Sequence, residues 1–312
     1  MKTTNPLLKK IGITARLLGA AVVMLAAFMA GALIAGTDAP QLSPAEAQMS
    51  AQIMLLVTTV NALILSYLAL RSRWHGWKLA GALFLAQYGI ETVMPQIETV
   101  VFNQALQLST PQIVSLFVSG FVRALIFAPL AVWVLGKSRR QETAADLNDR
   151  LHFSGRAWAI RLTLLAALYT VIYFVFGYFV AWQSPALRQF YSGSTAILPF
   201  FTHMAQTLAS DPWLALVQFG RGYLWVLIVL PVVRMFKGGM VETCFALALV
   251  LAVLLADFIL FPNPFMPAAV RLAHFVELTS SMALFGVLIG WVLWQGAIHR
   301  NAAGNSSGGL GG

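Results

Sequence analysis

Eight long apolar runs are the feature of this 312-residue chain that most restricts its fold. A helix that crosses a bilayer needs about 20 mostly apolar residues, because it rises about 1.5 Å per residue through a hydrocarbon layer about 30 Å thick. The runs cover residues 17–36, 49–70, 79–102, 113–136, 162–182, 214–233, 241–260 and 268–294. Backbone polar groups in lipid must be bonded within their own segment, so each run is expected to be helical. The sequence therefore predicts an all-α polytopic membrane helix bundle with about eight transmembrane helices.

The composition excludes a soluble fold. Hydrophobic residues make up 59% of the chain and charged residues only 10%, whereas an ordinary soluble domain has about 25% charged residues. So few charges cannot cover a surface that faces water, and the lipid bilayer is the expected partner. The single cysteine, Cys244, excludes an intrachain disulfide framework.

Lysine and arginine fall mainly on one side of the predicted bundle. If the N-terminus is cytoplasmic, Arg188 and Arg271 lie on the opposite side and Arg123 and Arg221 lie within spans, while the rest of the 20 basic residues are cytoplasmic. An excess of basic residues in cytoplasmic loops is the usual determinant of orientation. We therefore expect both termini in the cytoplasm (N-in/C-in) and a location in the cell (inner or plasma) membrane. Because topology accounts for the net charge of +9, no nucleic-acid partner is expected.

The chain is expected to form a single transmembrane domain over residues 1–300. Residues 137–156 are predicted to be a polar cytoplasmic linker, and residues 301–312 a disordered tail rich in Gly, Ser and Asn. The run 17–36 follows a basic N-terminal stretch. A retained helix, which its length favours, and a cleaved signal peptide both stay open for it.

The segment 183–211 is apolar for a loop and is expected on the outer side. Its residues form an apolar helical stripe and a separate polar one. The apolar stripe consists of Ile197, Phe200, Phe201, Met204 and Leu208, and the polar stripe of His203, Gln206 and Ser210. This pattern indicates an interfacial helix, or alternatively a lid over a cavity.

Ionisable side chains inside the predicted spans are the candidate functional residues. Each costs roughly 2.5–3.5 kcal/mol to insert, so such groups usually face a protein interior or an aqueous cavity. They are Glu91, Glu98, Arg123, Arg221, Asp257, His274 and Glu277. The predicted topology places the group in the outer half of the membrane. We therefore expect one shared polar core that is open toward the outside.

The third run carries the densest polar pattern. Gln87, Glu91 and Glu98 lie within about 40° of each other if the helix turns by about 100° per residue. Pro95, between the two acids, lacks an amide hydrogen and predicts a kink.

Two other runs place polar or small residues around their charged groups. His274 and Glu277 are one helical turn apart on one face of the eighth run. Gly220 and Gly222 flank Arg221 in the sixth run, and both are expected to permit close helix approach.

Three classes of function fit this pattern. A transporter or ion- or proton-coupled permease-like protein is favoured, because buried acids beside Arg and His are the usual parts of a proton relay. One alternative is an intramembrane enzyme that uses a metal or acid/base chemistry on a lipid, and another is a structural membrane subunit. The candidate metal ligands are His274, Glu277, Glu98 and His203. The catalytic residues, the cofactor, the oligomeric state and the ligand (an ion, a small molecule or a lipid) stay open.

Overall fold

A computed structural model describes residues 6–36, 42–139, 151, 153–263 and 266–294. Among these residues, seven helices are long and apolar enough to cross a membrane, which confirms the all-α membrane bundle. The helices are α1 (Pro6–Ala35), α2 (Pro44–Leu70), α3 (Gly76–Tyr88), α4 (Met94–Val101), α5 (Asn103–Leu106), α6 (Thr110–Val134), α7 (Gly155–Phe179), α8 (Pro185–Ser192), α9 (Phe200–Ser210), α10 (Leu214–Met235), α11 (Met240–Ala256) and α12 (Ala268–Trp294). The predicted tail 301–312 and most of the predicted linker 137–156 lie outside the described residues.

The predicted run 79–102 lies on a helical segment that changes its winding in the middle. A π-helical turn, Gly89–Val93, joins α3 to α4, and the amide of Met94 donates to the carbonyl of Gly89. Pro95 provides the physical cause, because it has no amide hydrogen and its ring crowds the carbonyl four residues earlier. The change of winding leaves this segment outside the seven membrane-length helices.

One end of the bundle brings three basic loops together, and we call it the basic end (residues 71–75, 136–139 and 236–239). The amide of Arg73 donates to the carbonyl of Met235 at 2.7 Å, and that of Gly76 donates to the carbonyl of Lys137 at 2.8 Å. The Lys137 ammonium donates to the carbonyl of Ser72 at 2.9 Å. Burial, together with the nearby charge of Lys237, lowers the pKa of Lys137 to about 8, so this group is still mainly charged at neutral pH.

Helix contacts fix which segments run toward the opposite end, called the far end. At the basic end, Arg16 near the start of α1 donates to the carbonyl of Leu135 after α6, at 3.3 Å. At the far end, the Ser115 hydroxyl of α6 donates to the carbonyl of Ala35 at 2.6 Å. The segment from Gly76 to Val101 therefore runs antiparallel to α6, from the basic end to the far end.

The segment 183–211 contains two short helices rather than one. Helix α8 ends where Gly193 adopts a left-handed conformation (φ 69°), and α9 begins after Pro199. Within α8, the buried Arg188 donates to the carbonyls of Trp182 at 2.6 Å and Thr195 at 2.8 Å. Helix α9 contains every member of the two predicted stripes except Ile197, which precedes it.

Close helix packing in α10 depends on one glycine of the expected pair. A Cβ atom at Gly222 would lie 2.6 Å from the backbone Cα of Ala166 in α7, whereas a Cβ at Gly220 would have no heavy atom within 4 Å. The expectation for Gly220 is therefore wrong, because this residue faces away from α7.

Substitution of these two glycines should have opposite effects on stability. Gly222→Ala is expected to destabilise the protein by roughly 1–3 kcal/mol, because overpacking against backbone forces α7 and α10 apart. Gly220→Ala should stabilise it by up to about 1 kcal/mol through the better helix propensity of alanine. Thermal unfolding of both variants in the same detergent measures the difference, and equal melting temperatures would contradict this packing.

Candidate functional site: two buried charged clusters

The ionisable residues of the predicted spans form two clusters, so the expectation of one shared polar core is wrong. The first, which we call the Arg123 cluster, consists of Asn61, Gln87, Glu91, Arg123 and Asp257. The second, which we call the Arg221 cluster, consists of Glu98, Tyr191, Gln218, Arg221, His274 and Glu277. Whether these side chains form a transport pathway stays a prediction.

The Arg123 cluster is centred on a buried ion pair. The Arg123 guanidinium lies 3.0 Å from the Glu91 carboxylate, and the side chain of Glu91 has no exposed surface. Two amides complete the Glu91 site: Asn61 of α2 donates to it at 3.0 Å, and Gln87 donates at 3.3 Å. Asp257, which directly follows α11, is buried near this pair.

The Arg221 cluster contains a second ion pair from different helices. The Arg221 guanidinium of α10 bonds the Glu98 carboxylate of α4. It also donates to the Gln218 side chain at 2.8 Å and to the carbonyl of Met94 at 3.2 Å. Arg221 therefore links α10 to α4, the helix that follows the π-turn.

The π-turn explains why Glu91 and Glu98 reach different partners. Seven residues of regular helix would place both acids on nearly the same face. A π-turn adds about one residue to a turn and so rotates all later side chains about the axis. Glu91 consequently faces α2 and α6, whereas Glu98 faces α10.

A small cavity lies inside the Arg221 cluster, with room for about one water molecule. Its polar lining consists of Glu98, Tyr169, Tyr173, Arg221, Glu277 and Ser281. The side chain of Glu98 is 27% exposed, so the cluster is accessible at the far end.

Glu277 is connected to the far end through two side chains. The His274 Nδ1 atom lies 3.6 Å from the Glu277 carboxylate, and His274 Nε2 lies 3.0 Å from the hydroxyl of Tyr191 in α8. Burial, reinforced by the charges of Glu98 and Glu277, raises the pKa of Tyr191 above its ordinary value. Tyr191 therefore keeps its proton at neutral pH and can donate a hydrogen bond to the imidazole or accept one from it.

Of the four buried acids in these clusters, two have an arginine partner and two do not. Glu91 and Glu98 each have an arginine partner, at Arg123 and Arg221. Within the part of the chain that the structure describes, Asp257 and Glu277 form no salt bridge with lysine or arginine. A buried carboxyl without such a partner strongly favours neutralisation by a proton or another cation.

The proposed metal ligands do not converge. Across residues 6–36, 42–139, 151, 153–263 and 266–294, no group of three or more His, Cys, Asp and Glu side chains is placed to hold a metal ion. Glu98 is engaged by Arg221, while His274 and Glu277 form only a pair. His203 lies in α9 against the ring of Trp182, with the centroids 4.7 Å apart, and burial lowers its pKa.

Two residues of these clusters were not predicted from the sequence. Asn61 carries a usable signal, since it is an amide near the middle of a mostly apolar run. Tyr191 carries none, because its role arises only when α8 folds against α12.

Searches of protein-family models, curated proteins and solved structures found no match for this chain.

Removal of one partner of the buried pair should be more costly than removal of both. Arg123→Met is expected to destabilise the protein by roughly 3–5 kcal/mol, because Glu91 would keep an uncompensated buried charge. The double variant Arg123→Met/Glu91→Gln should recover part of this loss. Equilibrium unfolding in mixed micelles gives the free energies.

The matched control is the Arg71–Glu242 pair at the basic end, whose side chains are 42% and 34% exposed. Arg71→Met should lower the free energy of unfolding by no more than about 1 kcal/mol. A single Arg123→Met variant as stable as its double variant would contradict the buried-pair account.

Proposed function

We propose that this chain is a proton-coupled membrane transport protein whose pathway includes the cavity of the Arg221 cluster. The observation that carries the proposal is the position of Glu277, a buried carboxyl that borders this cavity without a lysine or arginine partner. A carboxyl of this kind can bind and release a proton without breaking an ion pair that holds helices together.

The contacts around Glu277 supply a route for that proton from the far end. Tyr191 and His274 are hydrogen-bonded, and His274 is next to Glu277. A neutral imidazole accepts a proton at one nitrogen and releases one from the other, so this row of groups can relay protons. The glutamate can then pass its proton to a water molecule that occupies the cavity beside Arg221.

The size of the cavity favours an ion over an organic substrate. A cavity with room for about one water molecule can hold a water that carries a proton. A lipid headgroup would not fit, so an intramembrane lipid-modifying enzyme is less well supported by this geometry.

The proposal includes eight crossings of the cell (inner or plasma) membrane, with both termini in the cytoplasm and the lipid bilayer as partner. It is supported by the run of residues 76–101 between the two ends of the bundle, which adds one crossing to the seven long helices. It is also supported by the concentration of lysine and arginine at the basic end, since cytoplasmic loops carry this excess.

Cysteine labelling tests the proposed orientation. In a Cys244→Ala background, Ser192→Cys should react with a membrane-impermeant maleimide in intact cells, because the far end would face outward. Ser138→Cys at the basic end should react only after permeabilisation. Both positions are exposed, and labelling of Ser138→Cys in intact cells would overturn the proposed topology.

Proton flux into liposomes tests the proposed function. Purified protein is reconstituted around a trapped pH-sensitive dye, and a potassium diffusion potential drives proton uptake. The wild type should acidify the interior faster than empty liposomes, and Glu277→Gln should return the rate to background because an amide cannot carry the proton. Tyr191→Phe should reduce the rate while leaving some flux, because a water molecule can replace the hydroxyl.

The control is Glu46→Gln, at an exposed position where the amide preserves the capping box of α2. Its flux should equal that of the wild type. Absence of wild-type flux above empty liposomes would refute the proposed function. Equal flux in the wild type and a correctly folded Glu277→Gln variant would refute the role of Glu277.

A further inference from the structure

We propose that Asp257 is a second proton-binding site, in which the carboxyl proton is donated to the side-chain oxygen of Asn61. This site belongs to the Arg123 cluster and is separate from the cavity that contains Glu277. It extends the proposed function, but its evidence and its test do not depend on Glu277.

Asp257 is buried where an ionised carboxylate would require a bound cation. Asp257 begins a 3₁₀ turn, Asp257–Leu260, at the point where α11 ends, and only 5% of its surface is exposed. Among the residues that the structure describes, neither of its carboxylate oxygens has a hydrogen-bond partner of good geometry. An ionised carboxylate in such a place would lose its hydration without replacement.

The charges around Asp257 leave a deficit of one positive charge. Glu91, on the π-turn, and Arg123, on α6, are the charged groups that act on it. They already form a salt bridge with each other at 3.0 Å. On α12, which also packs against the 3₁₀ turn, Arg271 donates to the carbonyl of Met266 at 2.7 Å, and His274 and Glu277 belong to the Arg221 cluster. One proton on Asp257 would bring the Arg123 cluster to zero net charge.

The hydrogen-bond inventory favours a proton at this site. The amide nitrogen of Asn61 donates to Glu91 at 3.0 Å, which fixes the orientation of the amide group, since the reverse orientation would set two acceptors against each other. The Asn61 oxygen is buried and, within the described residues, has no partner. Asn61 lies close enough to Asp257 for its remaining amide hydrogen to bond an ionised carboxylate there. An ionised Asp257 offers this oxygen only another acceptor, whereas a protonated Asp257 offers a donor.

Protonation therefore completes a continuous chain of polar contacts. Asp257 donates to Asn61, Asn61 donates to Glu91, and Arg123 donates to Glu91 from the other side. The Asp257 carboxyl and the Asn61 oxygen then each have a complementary partner, which is the normal state of buried polar groups.

An aromatic stack covers this cluster. The ring of Phe258, the residue after Asp257, lies 4.4 Å from the Arg123 guanidinium. It stacks on Phe28 of α1 at 5.9 Å, and Phe28 stacks on Phe261 at the same distance. Aromatic rings therefore lie directly against the arginine partner of Glu91.

Infrared spectroscopy of the full-length protein in detergent at neutral pH tests the proposal directly. A protonated carboxyl has a C=O stretch that is resolved from the bands of a carboxylate. The wild-type spectrum minus the Asp257→Asn spectrum should contain the carboxylic-acid band, with the deuterium shift of an exchangeable proton. The control is Glu46→Gln, which removes an exposed acid that accepts hydrogen bonds from Ser43 and should change carboxylate bands only.

Melting temperatures give a second, independent measurement. Asp257→Asn should melt close to the wild type, because its amide group can donate to the Asn61 oxygen as the protonated acid does. Asp257→Leu should melt at a lower temperature, because that oxygen would keep no donor.

Two results would overturn the proposal. One is a difference spectrum that contains carboxylate bands alone. The other is a wild-type melting temperature that rises in Na⁺ relative to K⁺ at equal ionic strength and loses this rise in Asp257→Asn, which would identify a sodium site instead. Neither result depends on proton flux through liposomes, so failure here is distinguishable from failure of the proposed function.

Discussion

Neutralisation of charge within a lipid-embedded bundle is the constraint on which the rest of this structure depends. Two arginines lie deep in helices α6 and α10, and each needs an acid from another segment. A single interrupted helix, from Gly76 to Val101, provides both acids. The π-turn before Pro95 directs Glu91 and Glu98 to different neighbours, so one segment holds two parts of the bundle together through two separate ion pairs.

The membrane-length helices could be predicted from the sequence because the requirement for backbone hydrogen bonds in lipid leaves few alternatives. The predicted run 241–260, for example, corresponds to α11 and its 3₁₀ extension. The division into two clusters could not be predicted, because a uniform turn of 100° per residue ignores the π-turn. Pro95 indicated a kink, but a kink alone does not specify the extra rotation. The contact between Tyr191 and His274 joins segments 83 residues apart, and no local pattern encodes it.

The two clusters suggest a division of roles among four buried acids. Glu91 and Glu98 have arginine partners and are suited to holding helices in place. Asp257 and Glu277 lie beside these pairs without an arginine or lysine of their own among the described residues. We infer that the first two hold helices together through their ion pairs, while the other two carry exchangeable protons. Each arginine then acts on two acids. It forms an ion pair with one of them, and its positive charge influences the other.

Double-mutant cycles between the four paired residues test the central claim, that two independent ion pairs hold the bundle. Cycles for Glu91 with Arg123 and for Glu98 with Arg221 should give coupling free energies of about 1 kcal/mol or more, as expected for groups in contact. The crossed cycles, Glu91 with Arg221 and Glu98 with Arg123, should be additive within roughly 0.5 kcal/mol. Crossed couplings as large as the direct ones would show that the four residues form a single network and would contradict the account.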